Sequence, residues 1–509
     1  MEKRTVLVIG GGISGLYAAL KCVTHGHKVI LLEKSDRLGG HIKTIFKDGI
    51  KLESGAGRFN TDHQLLIALL NLYGLTMIAN TTQKEFYPIL SKPTYKVQVD
   101  AWLEKVIQAS KKISDGLLYN ITFHQLCETV LGYEKSKVLV EAFGYNAEFL
   151  LANAKASIQT FERDFTQKYP YFSCVEGLET LVEKMEADLI QKGVQIYKNT
   201  QIQSVEEKNN QFHIRTSEKT FKGDRLIFAL PKTALMSIPF FNDYAKALMD
   251  SVVPVSLHRI YGKYHTAWFK DLSKFTTDLS LRQFIPIDAS QGVVMVSYSD
   301  LFDADYWKYY ADQGPEVLEA ALKKQLKTLF PTRRIPKLDW VESYYWKEGV
   351  HVWLPGVEPV KIRNELNRLH PNIHIVGECF SFRQGWIEGA LETVEDSLNL
   401  WLHQKGGKHS YKQWFQNKKT ITLKDLQWVQ IEFPEMKWVL LKLPGDAETR
   451  VIDVTEWMYQ HPGSAQPFLR YMYQDISKPF QNISAHFQDQ HLKEHVFKNV
   501  ERFTISYVQ

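Results

Sequence analysis

The sequence predicts a mixed α/β protein of several domains whose first unit is a doubly wound parallel sheet. Three observations carry that expectation. A β-branched run enters glycines spaced as GxGxxG, a second apolar run ends on an acid at the interval a βαβ unit requires, and 509 residues is the length of roughly three packed domains.

Residues 5–9, TVLVI, read as a buried strand and residues 16–23 as a helix. Between them Gly10 permits a tight turn, Gly12 lets a pyrophosphate approach the backbone, and Gly15 lets the helix pack on the strand. Ile13 and Ser14 stand at the helix amino end, whose free N–H groups suit a phosphate. The second run, 29–32, ends on Glu33, which can accept hydrogen bonds from a ribose diol. Together these predict a Rossmann-type dinucleotide site; the plainer alternative is a glycine-rich turn in an unrelated α/β protein.

Hydrophobic residues at 44% and charged ones at 23% exclude disorder, collagen and coiled coil for the chain as a whole. Lys and Arg number 62 against 57 Asp and Glu, and a net +5 spread along the chain argues against nucleic acid or an anionic membrane as partner. Cys22, Cys127, Cys174 and Cys379 lie far apart with no CxxC pair, which argues against structural zinc and against a disulfide framework. The basic opening runs straight into the glycine motif without a cleavage site, and no stretch approaches the ~20 apolar residues of a membrane span. A soluble, reducing, cytoplasmic setting is therefore expected.

Residues 33–44, EKSDRLGGHIKT, resemble the flavin amine oxidase family, with Arg37, Gly39, Gly40 and Thr44 at the family's positions. The resemblance implies FAD, with this loop wrapping its pyrophosphate; His41 stands where the family has a second arginine. In residues 53–60, ESGAGRFN, Gly57 and Arg58 are similar to the segment that crosses the flavin in L-amino-acid oxidases, where the arginine holds the substrate carboxylate. A guanidinium fork suits that task, while pairing with an internal acid or a cofactor phosphate is the alternative.

Residues 172–181, 194–205 and 226–231 resemble the returning part of the FAD domain, read as a helix, a β-hairpin and a strand ending in Leu-Pro, with the backbone near Ile202 facing the adenine. Between these blocks, residues 100–156 are helical by spacing and 254–339 carry alternating strand patterns, so the resemblance implies a substrate domain inserted twice. Residues 373–398, IHIVGECFSFRQGWIEGALETVEDSL, resemble the family's closing FAD signature. That block implies a strand ending at Gly377, a Glu378 contact to the ribityl or phosphate region, and a helix beginning near Trp386 and Ile387 with its N–H groups aimed at the flavin. Such a helix end stabilises negative charge on reduced flavin.

Trp386 matches one wall of the family's aromatic substrate cage; an ordinary core tryptophan is the alternative. The family's lysine near the flavin aligns with Arg259, with Lys263 close by, and the second cage wall maps near Gly349. No cysteine stands where monoamine oxidases attach FAD, so the resemblance implies non-covalent FAD.

Residues 404–410, QKGGKHS, form a polar link, after which the chain resembles a cytochrome b5 domain. The resemblance implies haem b, ligated by His461 of a His-Pro-Gly triplet and by His486, with His491 as a competing candidate and Ser464 in place of a second glycine. Two neutral imidazoles on one iron make a closed electron-transfer haem. The near-neutral charge of this module fits transfer within the chain.

The expected architecture is thus a Rossmann-type FAD-binding domain (1–90, 166–245, 351–405), an inserted α+β substrate domain (91–165, 246–350) and a small α+β cytochrome b5-like domain (411–509). The resemblance implies hydride transfer to FAD from a C–N bond of an amine or L-amino acid, with Arg58, Arg259 and Trp386 on the substrate side and oxygen or haem as acceptor. An FAD-dependent desaturase or isomerase of a lipid or isoprenoid shares the same motifs. A reading from another class, motivated by His41, Arg259 and Gly349 and by a general likeness to amine oxidases of large DNA viruses, is a low-turnover scaffold or virion-associated protein.

Overall fold

The computed structural model describes residues 3–80, 85–165, 170–402, 415, 420–433, 436, 438–443, 446–454, 475–477 and 500–508. Five parallel strands run in the order Ile373–Ile375, Arg225–Phe228, Thr5–Ile9, Lys28–Leu32, Gln195–Tyr197. The order reverses between Thr5–Ile9 and Arg225–Phe228, and a crevice opens at their carboxyl ends. The three central strands are apolar after their first residue because helices and a second sheet cover both faces. Val6 and Val8 share a core with Leu16 and Leu20 of helix Ile13–Thr24 and with Leu391 and Val394 of helix Ile387–Leu402. Leu7 and Ile9 share another with Ile214, Phe221 and Met249.

Two local expectations shift. The antiparallel hairpin lies at Ser204–Lys208 and Gln211–Arg215, extended by Thr220–Gly223, rather than at 194–205. Asn209 and Asn210 adopt φ of 53° and 60°, the left-handed turn that hairpins favour, so Gln195–Tyr197 is released to pair with Lys28–Leu32 as the sheet edge. The expected helix over 172–181 begins as strand Tyr171–Cys174; Gly177, at φ +95°, turns the chain into helix Glu179–Gln191.

A six-stranded mixed sheet follows the order Leu338–Trp353, Val252–Tyr264, Val293–Asp300, Gln283–Asp288, Phe275–Thr277, Glu85–Tyr87. The two longest strands, Val252–Tyr264 and Leu338–Trp353, pair antiparallel along most of their length, and together they carry Arg259, Trp346, Gly349 and His351 to the crevice. Helices Val99–Ser110, Phe123–Leu131, Tyr133–Phe143 and Ala154–Asp164 close over a phenylalanine core of Phe123, Phe143, Phe149 and Phe161.

At the carboxyl end, strands Thr420–Ile421, Thr504–Val508, Thr449–Asp453 and Trp438–Leu441 form a four-stranded sheet beside helix Leu423–Glu432, whose start is closed by a capping box between Thr422 and Asp425. The apolar core runs on from this module into the first unit: Leu426, Val429 and Trp438 share it with Leu20, Leu66 and Leu398. Lys21, with 0% of its side chain exposed, lies 3.2 Å from Glu395 and 3.7 Å from Glu432 and so ties the module's helix to the first unit. Gln427 Nε2 adds a 2.9 Å bond to the Asn71 carbonyl. The link at 404–410, Ser464, His461, His486 and His491 lie outside the described residues. No helix among the described residues is long and apolar enough to cross a membrane.

Candidate active site

The crevice is a cavity of about 740 Å³ whose wall runs from Glu33 and Ile202 at one end to Arg259, Trp346 and Trp386 at the other. Its floor is made of glycine. Gly10 turns at φ +103°, and a Cβ on Gly15 would lie 2.0 Å from the Gly10 carbonyl oxygen, so the helix start can press on the strand end only without side chains. A Cβ on Gly12, by contrast, would meet nothing within 4 Å, because that position opens into the crevice. Gly39 N donates 2.8 Å to the Gly11 carbonyl, and a Cβ on Gly40 would sit 3.3 Å from Gly12 Cα. The two glycine segments are thereby joined around the amino end of helix Ile13–Thr24, where Ile13 and Ser14 line the wall. This cradle of bare backbone N–H groups at a helix start fits the pyrophosphate of a dinucleotide.

Glu33 ends strand Lys28–Leu32 as the spacing requires. Its carboxylate accepts from Gly11 N at 2.7 Å and Ser35 N at 2.8 Å, which orients it toward the cavity it lines. Arg37 donates to the carbonyls of Leu38 (3.0 Å), Ile42 (3.1 Å) and Gly40, so it holds the Gly39–Gly40 loop in shape as well as lining the wall. His41 lines the wall too, edge-on to Trp346 with ring centroids 4.9 Å apart. Burial holds its imidazole below the usual histidine value, so it carries no charge at neutral pH. Ile202 lines the Glu33 end of the wall.

At the carboxyl-terminal block, Gly377 adopts φ +130° and lines the wall with Glu378, Trp386 and Ile387, the last opening helix Ile387–Leu402. Glu378 accepts from His351 Nδ1 at 2.7 Å, His351 N at 2.9 Å and Gly385 N at 2.7 Å. Burial alone would lower the His351 pKa, but Glu378 and Glu348 outweigh it and raise that pKa to about 9.

Arg259 lines the cavity, whereas Lys263 turns outward to Asp48 at 2.8 Å. Arg259 stands directly across the strand pair from Tyr298, lies 4.6 Å over its ring, and donates 2.8 Å to the Glu53 carbonyl. Gly57 and Arg58 adjoin this cavity without lining it. A Cβ on Gly57 would crowd Glu53 and Arg259, so the backbone here is packed rather than open. Arg58 is half-buried, donates 3.0 Å to the Tyr145 hydroxyl, and lies 5.1 Å over Tyr171 and 5.9 Å over Trp386. Trp386 and Tyr171 stack at 20° with centroids 6.1 Å apart. A Cβ on Gly349 would meet Leu257 Cγ at 2.6 Å; Leu257 fills the space where a second cage wall maps, and Trp346, anchored through Nε1 to the Ser54 carbonyl at 2.7 Å, supplies an aromatic surface nearby.

Sequence reasoning missed Tyr145, Tyr171, Tyr298, Trp346 and His351. Of these, Trp346 and His351, which flank Gly349 on one strand, carried a local signal.

Comparison with known proteins agrees with this architecture. Residues 13–394 match the model of the flavin containing amine oxidoreductases, and the chain belongs to that family. Residues 447–508 match the cytochrome b5-like heme/steroid binding domain. An L-amino-acid oxidase of Siganus canaliculatus is 21% identical over 446 residues, covering 76% of this chain and 83% of that one. FAD-dependent oxidoreductase dbaF of Emericella nidulans matches only locally, 50% identical over 46 residues, 9% of this chain and 10% of its own. A solved structure of a redesigned putrescine oxidase superposes with a TM-score of 0.62 at 16% identity, over 78% of this chain and 98% of that one. The protein is an FAD-dependent oxidoreductase with a cytochrome b5-like carboxyl-terminal domain, which implies haem as a second cofactor.

Proposed function

We propose that the protein oxidises the C–N bond of an L-α-amino acid whose carboxylate binds Arg58. The observation that carries this reading is Arg58 itself: a half-buried guanidinium over the rings of Tyr171 and Trp386 that makes no ion pair with an acid among the described residues. Its planar fork takes a carboxylate bidentately and stays charged when enclosed.

FAD, when bound, supplies the hydride acceptor. The chain binds, orients and excludes water. Gly10, Gly12, Ile13, Ser14, Gly39 and Gly40 would hold the pyrophosphate, Glu33 the ribose, Ile202 the adenine end, and Gly377 and Glu378 the ribityl region. Trp386 and Tyr171 would wall the substrate. The start of helix Ile387–Leu402 offers N–H groups to the negative charge that reduction creates. No carbon-bound proton has to be removed by a side chain, because a neutral amine loses hydride directly.

A haem, if held by His461 and His486, would supply an electron acceptor alongside oxygen, and Lys21 joins that module's helix to the first unit. Four buried, unpaired cysteines support the reducing, cytoplasmic setting expected from the sequence.

Anaerobic mixing of the FAD-loaded protein with L-amino acids tests the reading by bleaching of the flavin band. Arg58→Ala is expected to raise the apparent Kd for the amino acid by about 100-fold, the worth of a charge-assisted bidentate pair. Bleaching by simple amines with an unchanged Kd in the variant would overturn the carboxylate role.

A further inference from the structure

We infer that the substrate of this site carries two carboxylates, the second held by Arg259. The inference rests on the amino-acid reading above and narrows it to acidic amino acids.

Arg58 and Arg259 lie close enough for their charges to act on each other. The backbone that carries Arg58 abuts Arg259, since a Cβ on Gly57 would lie 3.2 Å from Arg259 Nη1. Tyr145, which accepts from Arg58, and Tyr298, beneath Arg259, touch edge to face with centroids 5.4 Å apart. One tyrosine cluster thus holds both cations.

The nearby acids are committed elsewhere. Neither arginine makes an ion pair among the described residues. The Glu53 carboxylate lies in the field of Arg259 but is hydrogen-bonded to Thr44 Oγ1 at 2.8 Å and Leu178 N at 3.1 Å, and Arg259 bonds the Glu53 backbone carbonyl instead. Glu148, in the field of Arg58, is raised to about 7 by burial and by Asp300. Along the cavity wall, Glu348 and Glu378 are taken by His351, and Glu33 by Gly11 and Ser35.

An unpaired charge taken from water costs several kcal/mol, and two side by side repel each other as well. The loaded site must supply the compensation. FAD, when bound, would bring a neutral oxidised ring and phosphates that the glycine cradle would hold, and the start of helix Ile387–Leu402 would face charge gained on reduction. The remaining source is the substrate. One carboxylate satisfies Arg58; an amino acid with a neutral side chain leaves Arg259 unmatched, whereas an acidic side chain pairs with it. The proposal concerns binding and adds no chemical step.

Equilibrium binding of non-oxidisable carboxylates to the FAD-loaded protein tests this, followed by perturbation of the flavin spectrum. Glutarate and valerate have the same number of carbons and differ in one carboxylate. Glutarate is expected to bind about 30-fold tighter, the worth of one charge-assisted pair. Arg259→Gln should bring that ratio to about one, and Arg259→Lys, which keeps the charge but loses the fork, should give a ratio between the two. Equal binding of the two acids by the native protein, or a ratio unmoved in Arg259→Gln, overturns the inference; the first result needs no variant to fold. Turnover is read separately. A glutarate preference with no flavin bleaching by any amino acid would overturn amine oxidation while leaving the diacid site standing, and equal bleaching by leucine and glutamate at equal Kd would do the reverse.

Discussion

The imidazole of His351 sits between two carboxylates, Glu378 at 2.7 Å from Nδ1 and Glu348 at 3.5 Å from Nε2. It locks strand Leu338–Trp353 to the loop before helix Ile387–Leu402, both of which wall the cavity.

This pairing makes stability depend on pH. His351 has its pKa raised from 6.5 to about 9, so its contribution is complete below 6.5 and lost as the pH rises through about 9. Glu348 is lowered from 4.5 to about 2, and its contribution is complete above 4.5 and lost on acidification toward 2. The native protein should therefore exceed His351→Gln in stability by about 3 kcal/mol between pH 4.5 and 6.5. That gap should close above about pH 9 when Tm is compared across pH.

Gly12 and Gly15 should fail differently. Gly15→Ala drives a methyl group into the Gly10 carbonyl and is expected to destabilise the fold by about 3 kcal/mol. Gly12 has φ −69° and open space where a side chain would go, so Gly12→Val should keep its Tm and lose FAD affinity by about tenfold or more. Thermal denaturation of flavin-free protein and flavin titration separate the two effects.

Lys21 is the buried cation of the contact between the first unit and the carboxyl-terminal module. Lys21→Met leaves Glu395 without its ion-pair partner and Glu432 with His25 alone, at 3.6 Å, and should cost about 3 kcal/mol in denaturant unfolding.

Absorption spectra should show flavin bands together with a haem Soret band. His461→Ala or His486→Ala should each abolish the Soret band and leave the flavin bands intact. A full Soret band in both variants would remove these two histidines as the ligands.

The cofactor end was legible because its chemistry is local. Gly10, Gly12, Gly15 and Glu33 act through backbone geometry over a short stretch, and so do Gly377, Trp386 and Ile387, where a strand end and a helix start fall within one segment. Arg259 could be aligned, yet the choice between it and Lys263 depends on which face of a strand meets the crevice. Trp386 and Arg58 could be named, but Tyr145, Tyr171 and Tyr298 come from three distant segments.

The α/β class and the dinucleotide cradle were legible in the chain alone, since glycine and acid spacing sets local backbone geometry, and motif resemblance added FAD and the cytochrome b5-like module. Long-range packing set the rest: Arg58 and Arg259 share one tyrosine cluster, His351 bridges Glu348 and Glu378, and Lys21 joins the first unit to the carboxyl-terminal module. Those contacts form when long-range strand pairing and helix packing bring separate segments together, and burial then makes the remaining charges matter.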